Sequence, residues 1–284
     1  MSFIALSADF LISIGDLVPS GEYQNVWSRH RRVLNFIHGY RVISVTDASV
    51  GSGPFRICMR DIGIDSITRM RVSPDEIIVN DDYRIPVEDA KRYASRLPMT
   101  LPPRGALKRK ISRLKDLLLN NAASESLACL LDSGMKHGSG SPFDEALREK
   151  AQIGYEKLCS GDISSAVMAF RGSGFGLTPS GDDFLIGLLL GLGVREISEK
   201  KNLHKLRAFI YDGTLANNML VNTLLYQSMQ KRPDENWRDL ILALGGQKEL
   251  EAAALDVIAQ GASSGADTLT GFISAWDTNI DREE

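Results

Sequence analysis

Two adjacent aspartates follow a glycine-rich segment of the chain, where carboxylates could accept a proton, orient other groups or hold a divalent cation. The segment is GSGFGLTPSGDDFLIG, residues 172–187, and the two acids are Asp182 and Asp183. Glycines let a ligand approach backbone N–H groups closely, and a helix N-terminus attracts anions, so this composition is typical of a small-anion site. It is not a P-loop, because the two acids stand where that motif has Lys and then Ser or Thr.

The motif Ser-Gly-x-Asp-x-Leu-x-Gly within this segment occurs a second time near the C-terminus. Ser180 and Asp183 have the Ser-x-x-Asp spacing of a capping box, in which each side chain bonds to the other residue's backbone N–H. Ser264 and Asp267 repeat that spacing. The pattern predicts two capped helices, and these are either purely architectural or two halves of one binding site.

A glycine lies one helical turn beyond the aspartate in each copy, at Gly187 and Gly271. Glycine inside a helix costs about 1 kcal/mol relative to Ala, so some contact should offset that cost. The simplest such contact is the close approach of another backbone. We therefore expect the two helices to pack near each other, with their N-termini facing a shared space.

The two acids of the first copy differ in how free they are to do chemistry. If capping occupies Asp183, then Asp182 is the freer acid, and we treat both as candidate catalytic residues. The second copy has Ala266 at the position of Asp182. The difference is explained equally well if only the first copy carries a reactive group or if both copies are purely structural.

A third glycine cluster, GSGPF at residues 51–55, leads into a predicted strand and is either a turn or a ligand loop. The candidate substrate-binding residues are the glycines and polar residues of all three segments: Gly174, Gly176, Thr178, Ser180, Gly181, Ser263, Ser264, Gly265, Asp267, Thr268, Ser52 and Gly53.

Composition excludes several classes of protein. The chain has 284 residues, of which 43% are hydrophobic and 24% charged, as in globular proteins, and a net charge of -3 offers no attraction to nucleic acid or acidic membranes. The apolar run Phe184–Val194 is too short to span a bilayer, and the N-terminus lacks a signal-peptide pattern. Three scattered cysteines and four scattered histidines argue against a zinc site and favour a cytoplasmic protein. No cofactor is expected, although the acid pair could hold Mg²⁺.

The first hundred residues have the short, Ile- and Val-rich runs of β-strands. Predicted strands are FLISIG, RVISVT, PFRICMR, DEIIVN and YRIPV, with a hairpin over Val79–Ile85 and a helical element over Val87–Leu97. Three prolines at residues 98–105 mark a linker. The fold class is therefore α+β, with a β-rich N-terminal domain at residues 1–100 and a helical C-terminal domain at residues 101–284 that carries both motifs.

The remainder has helical spacing throughout. Predicted helices are Ala106–Asn120, Ser124–Met135, Phe143–Cys159, Ile163–Phe170, Asp183–Lys200, His204–Gln230, Asn236–Leu244, Lys248–Gln260 and Asp267–Asn279. The basic stretch RGALKRKISRLK, residues 104–115, has no interleaved aromatic residues, so a solvated helix face is favoured over a nucleic-acid site.

The segments GSGFGLTPSGDDFLIG and GASSGADTLTGF together resemble the AllH-like family, a former domain of unknown function. The resemblance is strong over Gly172–Gly191 and Gly261–Phe272, and weaker at GSGPF. The family's named member is a subunit of a bacterial oxamate carbamoyltransferase. The resemblance implies a role in purine-nitrogen (allantoin) breakdown, in which a carbamoyl group passes between oxalurate and phosphate. It also implies work with two other subunits, one of them similar to acyl-CoA synthetase proteins.

Three functional hypotheses follow. The first is a carbamoyltransferase subunit that binds a small anion between Gly172–Asp183 and Ser263–Thr268, with Gly51–Gly53 at the edge. No covalent nucleophile is recognisable, so the carbamoyl group would be transferred by proximity and by stabilisation of the oxyanion. The second is a non-catalytic subunit that binds a small anion or organises a complex. The third is a Mg²⁺-dependent enzyme that uses the Asp182 and Asp183 pair.

Overall fold

The computed structural model describes residues 4, 5, 7–60, 63–88, 90–98, 100–132, 142–278 and 280. Strands occupy the N-terminal part and helices the rest, so the fold class is α+β, as predicted. The chain forms two compact units: the N-terminal unit comprises Met1–Arg96 and Arg232–Glu235, and the helical unit comprises Leu97–Lys231 and Asn236–Glu284. The division into domains at residue 100 stays a prediction.

The described strands of the N-terminal unit form two sheets. In chain order they are β1 (Ile4–Ala5), β2 (Leu11–Gly15), β3 (Gly21–Tyr23), β4 (Val26–His30), β5 (Val33–His38), β6 (Arg41–Asp47), β7 (Arg56–Met59), β8 (Met70–Val72), β9 (Glu76–Val79), β10 (Tyr83–Pro86) and β11 (Lys91–Tyr93). One sheet has the order β1-β10-β9-β8-β3 and the other β11-β2-β7-β6-β5-β4. Three pairs are parallel, β1 with β10, β2 with β11 and β6 with β7, and the rest are antiparallel.

The hairpin predicted at Val79–Ile85 is confirmed. Asn80 and Asp81 adopt positive φ angles of 54° and 62°, the region that a tight hairpin turn requires and that Asn and Asp tolerate best among non-glycine residues. The N–H of Asp82 closes the turn on the carbonyl of Val79 at 3.1 Å.

The helical element predicted over Val87–Leu97 is wrong, because β11 runs through it. Residues 91–93 pair in parallel with residues 13–15 of β2, and the buried Tyr93 hydroxyl donates to the carbonyl of Pro233 at 2.9 Å. Backbone partners and a side-chain acceptor from distant segments therefore override the local pattern.

The described part of the helical unit contains nine α-helices and a short 3-10 helix at Leu127–Leu131. The helices are α1 (Arg104–Asn121), α2 (Pro142–Ser160), α3 (Ile163–Phe170), α4 (Ser180–Glu199), α5 (His204–Thr214), α6 (Met219–Met229), α7 (Glu235–Leu244), α8 (Leu250–Ile258) and α9 (Ser264–Asp277).

Two helix predictions differ from the structure. The single helix predicted over His204–Gln230 is two, α5 and α6, because Asn218 caps α6 by accepting from the N–H groups of Leu220 and Val221. The helix predicted over Ser124–Met135 contains only the 3-10 turn, and its residues 133–135 lie outside the described part of the chain. Hydroxyl and amide side chains that satisfy local backbone groups end helices in this way.

Helices α4 and α9 form the core of the helical unit. Every residue from Gly181 to Arg195 is buried, as is every residue from Gly265 to Trp276. No helix in the described chain is both long and apolar enough to cross a membrane. A helix that is apolar on all sides is buried within a larger assembly of helices, which is the position of α4 here.

Candidate functional site

The second glycine of each motif allows α4 and α9 to touch through their backbones. A Cβ at Gly187 would overlap the carbonyl oxygen of Thr268 in α9, and a Cβ at Gly271 would overlap the carbonyl oxygen of Phe184 in α4. The contact is reciprocal, because each helix offers its glycine to the same region of the other. The predicted close approach is therefore confirmed, and it accounts for glycine in two helix interiors.

The first glycine of each motif makes an equivalent contact with the helix that precedes it. A Cβ at Gly181 would overlap the carbonyl of Phe170 at the end of α3, and a Cβ at Gly265 would overlap that of Val257 in α8. The N–H of Gly181 donates to Ser173 O at 2.8 Å. The N–H of Gly265 donates to Gln260 O at 2.9 Å, so neither amide is available to a ligand.

The two helices run in the same direction, with their N-termini side by side. At one end the hydroxyl oxygens of Thr178 and Ser264 lie 3.4 Å apart. Towards the other end, the guanidinium of Arg195 in α4 donates to the carbonyl of Ala275 in α9 at 2.6 Å. The predicted proximity of the two N-termini is confirmed.

The predicted capping boxes are wrong. Pro179 and Ser263 are the N-cap residues, neither caps through its side chain, and Ser180 and Ser264 are already the first helical residues. The N–H of Asp183 donates to Pro179 O at 3.0 Å, as the ordinary helical bond to the cap carbonyl. Each serine is thus one position too late to cap, and each aspartate is released for a contact elsewhere.

Asp183 turns towards the opposite motif. Its buried carboxylate accepts from the Thr178 hydroxyl at 3.1 Å. The Ser264 hydroxyl of the second motif lies near enough to lower the pKa of Asp183. Burial raises the pKa of Asp183 well above its ordinary value, the two hydroxyls oppose that rise, and the neighbouring acids Asp267 and Asp182 add to it. Asp183 therefore holds a proton more strongly than an ordinary aspartate.

Asp267 occupies the equivalent position in α9 and is fully buried. Its Oδ1 accepts from the backbone N–H of Leu127 at 2.6 Å. Burial raises the pKa of Asp267 to about 6, against the lowering effect of that N–H and of the Ser180 and Ser263 hydroxyls. The other carboxylate oxygen, Oδ2, has no hydrogen-bond partner among the described residues. The two hydroxyls are therefore near enough to lower the pKa of Asp267 but do not make hydrogen bonds of good geometry with it. Asp267 thus faces Ser180 as Asp183 faces Ser264.

Asp182 holds the glycine loop. Its Oδ1 accepts from the backbone N–H of Gly172 at 2.8 Å, its side chain is 2% exposed, and burial raises its pKa. The capping that was expected to occupy Asp183 is absent, and Asp182 is itself engaged with a backbone N–H, so which acid is the freer stays a prediction. Catalytic roles for Asp182 and Asp183 stay predictions.

The loop before α4 depends on its glycines. Gly172, Gly174 and Gly176 have φ angles of 63°, 122° and 88°, a region that other residues rarely adopt. The amide of Asn218 donates to Leu177 O at 2.8 Å, so Asn218 supports this loop as well as capping α6. The sequence contains no signal that pairs these two residues.

The remaining predicted site residues are placed unequally. Ser263 and Ser264 are half-buried at the start of α9, whereas the Thr268 hydroxyl is used inside the helix, where it donates to Ser264 O at 2.8 Å. Ser52 and Gly53 belong to the N-terminal unit, unlike the other ten.

The glycine cluster at residues 51–55 already holds acidic side chains of the same unit. The Ser52 N–H donates to the Glu235 carboxylate at 2.9 Å, and the Ser52 Oγ accepts from Ser13 at 2.9 Å. A Cβ at Gly53 would overlap the carboxylate of Asp234, which also pairs with Arg56. Sequence reasoning missed Asp234 and Glu235, although an acidic pair directly after proline is a visible signal.

The acids do not assemble a metal centre within the described residues, where no three His, Cys, Asp or Glu side chains cluster. Asp182 and Asp183 are consecutive on α4, and consecutive helical residues do not face each other. One turns to the Gly172 N–H and the other to Thr178. The pair is therefore not shaped to hold one Mg²⁺.

These features define a helical protein unit built on two parallel, glycine-packed helices that begin at copies of one motif. The family model described as oxamate carbamoyltransferase subunit AllH matches residues 170–276 of the chain. The match extends from the end of α3 almost to the end of α9 and includes both motifs, so the predicted resemblance to the AllH family is confirmed over this segment. No curated protein and no solved structure matches the chain significantly.

Proposed function

We propose that the chain is a subunit of a carbamoyltransferase of the oxamate type, and that it binds a small anionic substrate or phosphate at the N-terminal ends of α4 and α9. The observation that carries the proposal is the family match over residues 170–276, which contains both helix starts and the buried acids between them. Two parallel helices that begin side by side direct the positive ends of both dipoles at the same place.

Hydroxyl groups supply the donors at this site. The N–H groups of Gly181 and Gly265 are engaged within the fold, and the Thr178 hydroxyl donates to Asp183. The half-buried hydroxyls of Ser180 and Ser264 are therefore the nearest remaining donors. The two buried acids beneath them would repel an anion if both were ionised. Because burial raises the pKa of Asp183 and Asp267, this repulsion is weaker than the sequence suggests.

The transfer itself needs few protein groups. An oxygen of phosphate attacks the carbamoyl carbonyl carbon of oxalurate, an oxyanion forms, and the bond from that carbon to the oxamate nitrogen breaks as the nitrogen takes a proton. Hydroxyl donors at the developing oxyanion lower the barrier, and a buried acid that retains its proton is a suitable donor to the leaving nitrogen. Asp183 fills that role best, because it lies among the hydroxyls.

A non-catalytic, complex-organising subunit is the second candidate. The four motif glycines all pack against backbone, and Asp182 and Asp267 bond to backbone N–H groups. This observation favours a motif that is retained for architecture. Both candidates predict a subunit of a larger complex and differ in whether the acids do chemistry.

Calorimetry of the full chain with phosphate, oxamate and carbamoyl phosphate tests the anion site. We expect saturable binding of at least one of them, and Ser264→Ala should weaken it about tenfold through the lost hydroxyl. Ser160→Ala is the matched control, because Ser160 is exposed at the end of α2 and bonds only to its own helix. Absence of binding to all three anions would reject the site.

Reconstitution with co-purifying partner subunits separates the two candidates. A complex that contains Asp183→Asn and assembles normally should lose carbamoyl transfer if Asp183 is the proton donor. Full transfer by that complex would establish the organising role instead.

A further inference from the structure

Helix α6 begins beside the glycine loop that precedes α4. Its N-cap residue is Asn218, whose side-chain oxygen accepts from the N–H groups of Leu220 and Val221, both at 3.1 Å. The amide nitrogen of the same side chain donates to Leu177 O at 2.8 Å. One half-buried asparagine therefore ties the start of α6 to the loop.

Helix α6 also runs in the same direction as α4. Near the C-terminal end of α6, the buried guanidinium of Arg207 donates to Ser228 O at 2.9 Å and to Leu189 O of α4 at 3.4 Å. The two helices are thus linked at their starts through Asn218 and again further along through Arg207. Asn218 therefore stands at the end of the helical unit where α4 and α9 also begin.

The Asn218 contacts use both ends of an amide. Ser, Thr, Asp and Asn are all good N-caps, because each offers a side-chain oxygen to helix N–H groups. An ionised Asp has no donor, and the single hydroxyl oxygen of Ser or Thr lies too close to the backbone to cap a helix and reach a second segment. Asparagine accepts with one atom and donates with another, so the residue type at position 218 suits a link between two segments.

The bond from Asn218 to Leu177 O orients Thr178. The carbonyl of Leu177 and the N–H of Thr178 belong to one planar peptide unit, so a fixed carbonyl fixes the direction in which the chain enters Thr178. Gly174 and Gly176, just before this peptide unit, have positive φ angles, and the glycine backbone is freer than that of any other residue. A contact from outside the loop therefore helps to hold Thr178, and Asn218 supplies one.

Thr178 carries that orientation to Asp183, because its hydroxyl donates to the Asp183 carboxylate at 3.1 Å. A hydroxyl that donates to a carboxylate favours the ionised form, so this bond opposes the effect of burial on the pKa of Asp183. Three further groups affect the same carboxylate: Ser264, Asp267 and Asp182. Ser264 lowers the pKa of Asp183, and the two acids raise it.

We propose that Asn218 is a positioning residue of the candidate site: it holds the Thr178 hydroxyl on the Asp183 carboxylate and thereby controls how readily Asp183 gives up its proton. This role rests on the proposed function, in which Asp183 protonates the leaving nitrogen. Asn218 acts through Thr178 and needs no contact with the substrate.

The side-chain carboxyl carbon resonance of Asp183, titrated in the full-length chain without ligand, tests this role. Asn218→Ser retains an N-cap oxygen but lacks the amide that reaches Leu177, so α6 should persist while Thr178 loses its fixed direction. We expect the pKa of Asp183 to rise further above its ordinary value in this variant. Asn217→Ser is the matched control, since it removes the same amide from the exposed neighbouring position and should leave the titration unchanged.

Thr178→Val distinguishes a path through Thr178 from a general disturbance. This variant should also raise the pKa of Asp183, and the addition of Asn218→Ser to it should cause no further change. Asn218→Asp gives a second check, because it keeps the shape and the cap of asparagine. Its effect on the pKa of Asp183 should be smaller in the Thr178→Val background, where only its added charge acts.

Two results would overturn the proposal. One is an unchanged Asp183 titration in an Asn218→Ser variant that retains its helical circular dichroism. The other is an equal additional rise of the Asp183 pKa when Asn218→Ser is placed in the Thr178→Val background. Because the titration requires no substrate, its outcome is independent of whether anions bind or carbamoyl transfer occurs in the experiments above.

Discussion

The carbonyl oxygen of Thr268 in α9 occupies the space where a side chain on Gly187 of α4 would begin. Gly271 stands in the same relation to Phe184, so the two helices are joined by a reciprocal pair of backbone contacts. The glycines of the repeated motif thus allow α4 and α9 to pack together, and any ligand site at their N-termini depends on that packing.

Gly187→Ala should destabilise the protein strongly. The added methyl group would meet backbone, which cannot rotate away, and overpacking of this kind costs about 1–3 kcal/mol even though Ala gains about 1 kcal/mol in helix propensity. We expect the free energy of unfolding in urea to fall by about 2 kcal/mol. Gly105→Ala is the control, since Gly105 is exposed in the first turn of α1 with nothing nearby, and it should be neutral or slightly stabilising. Equal effects of the two substitutions would contradict the packing role.

Asp267 should make stability fall as pH rises. Its pKa is raised from 3.8 to about 6 in the folded state, so between these values the folded protein binds more protons than the unfolded chain. The stabilising contribution is complete below the unfolded pKa and is lost as pH rises through the folded pKa. Unfolding at pH 4 and pH 7 should show a loss of about 2 kcal/mol from this group, and Asp267→Asn should remove that part of the dependence. A variant with the same pH profile as the parent would refute the assignment.

Asp182→Ala should loosen the glycine loop. Without the carboxylate, the N–H of Gly172 loses its acceptor, and its amide hydrogen exchange should accelerate by about tenfold. Asp182→Asn retains a carbonyl acceptor in the same place and should restore slow exchange. Unchanged exchange in the alanine variant would show that the loop is held by other contacts.

Glu196→Ala should leave a buried charge without its partner. Arg207 is 1% exposed and pairs with Glu196 at 2.9 Å, as does Lys231. Removal of one member of such a pair costs about 3–5 kcal/mol. Glu251→Ala removes an exposed pair with Arg113 and should cost no more than about 1 kcal/mol in the same thermal or urea assay. Similar losses in both variants would show that the network around Arg207 is not specifically stabilising.

Short-range patterns predicted much of the architecture. Alternating apolar residues located β2, β6 and β9, and helical spacing located α1, α3 and α7 closely, because both periods follow from backbone geometry alone. The strands Val26–His30 and Val33–His38 were not predicted, since polar residues at several of their positions hide the alternation.

The contacts of the candidate site were less predictable. Ser-x-x-Asp spacing suggested capping, but a shift of one position places each serine inside its helix and releases each aspartate. Asp182 accepts from the Gly172 N–H, Asp183 from the Thr178 hydroxyl and Asp267 from the Leu127 N–H, and the Ser264 hydroxyl lies near Asp183. Gly172 and Thr178 precede the acids in the same loop, whereas Ser264 and Leu127 come from distant parts of the chain.

By itself, the sequence determined the α+β class, the two motif helices, the need for backbone contact at their glycines and the likeness to the AllH family. Only the tertiary structure decided which groups face which: that Asp183 meets Ser264, that Asp267 meets Leu127, and that Ser52 is held by Glu235. The physical reason is that periodicity and glycine cost are local properties of the chain, whereas a buried acid acquires its partners and its pKa from whatever segments folding packs around it.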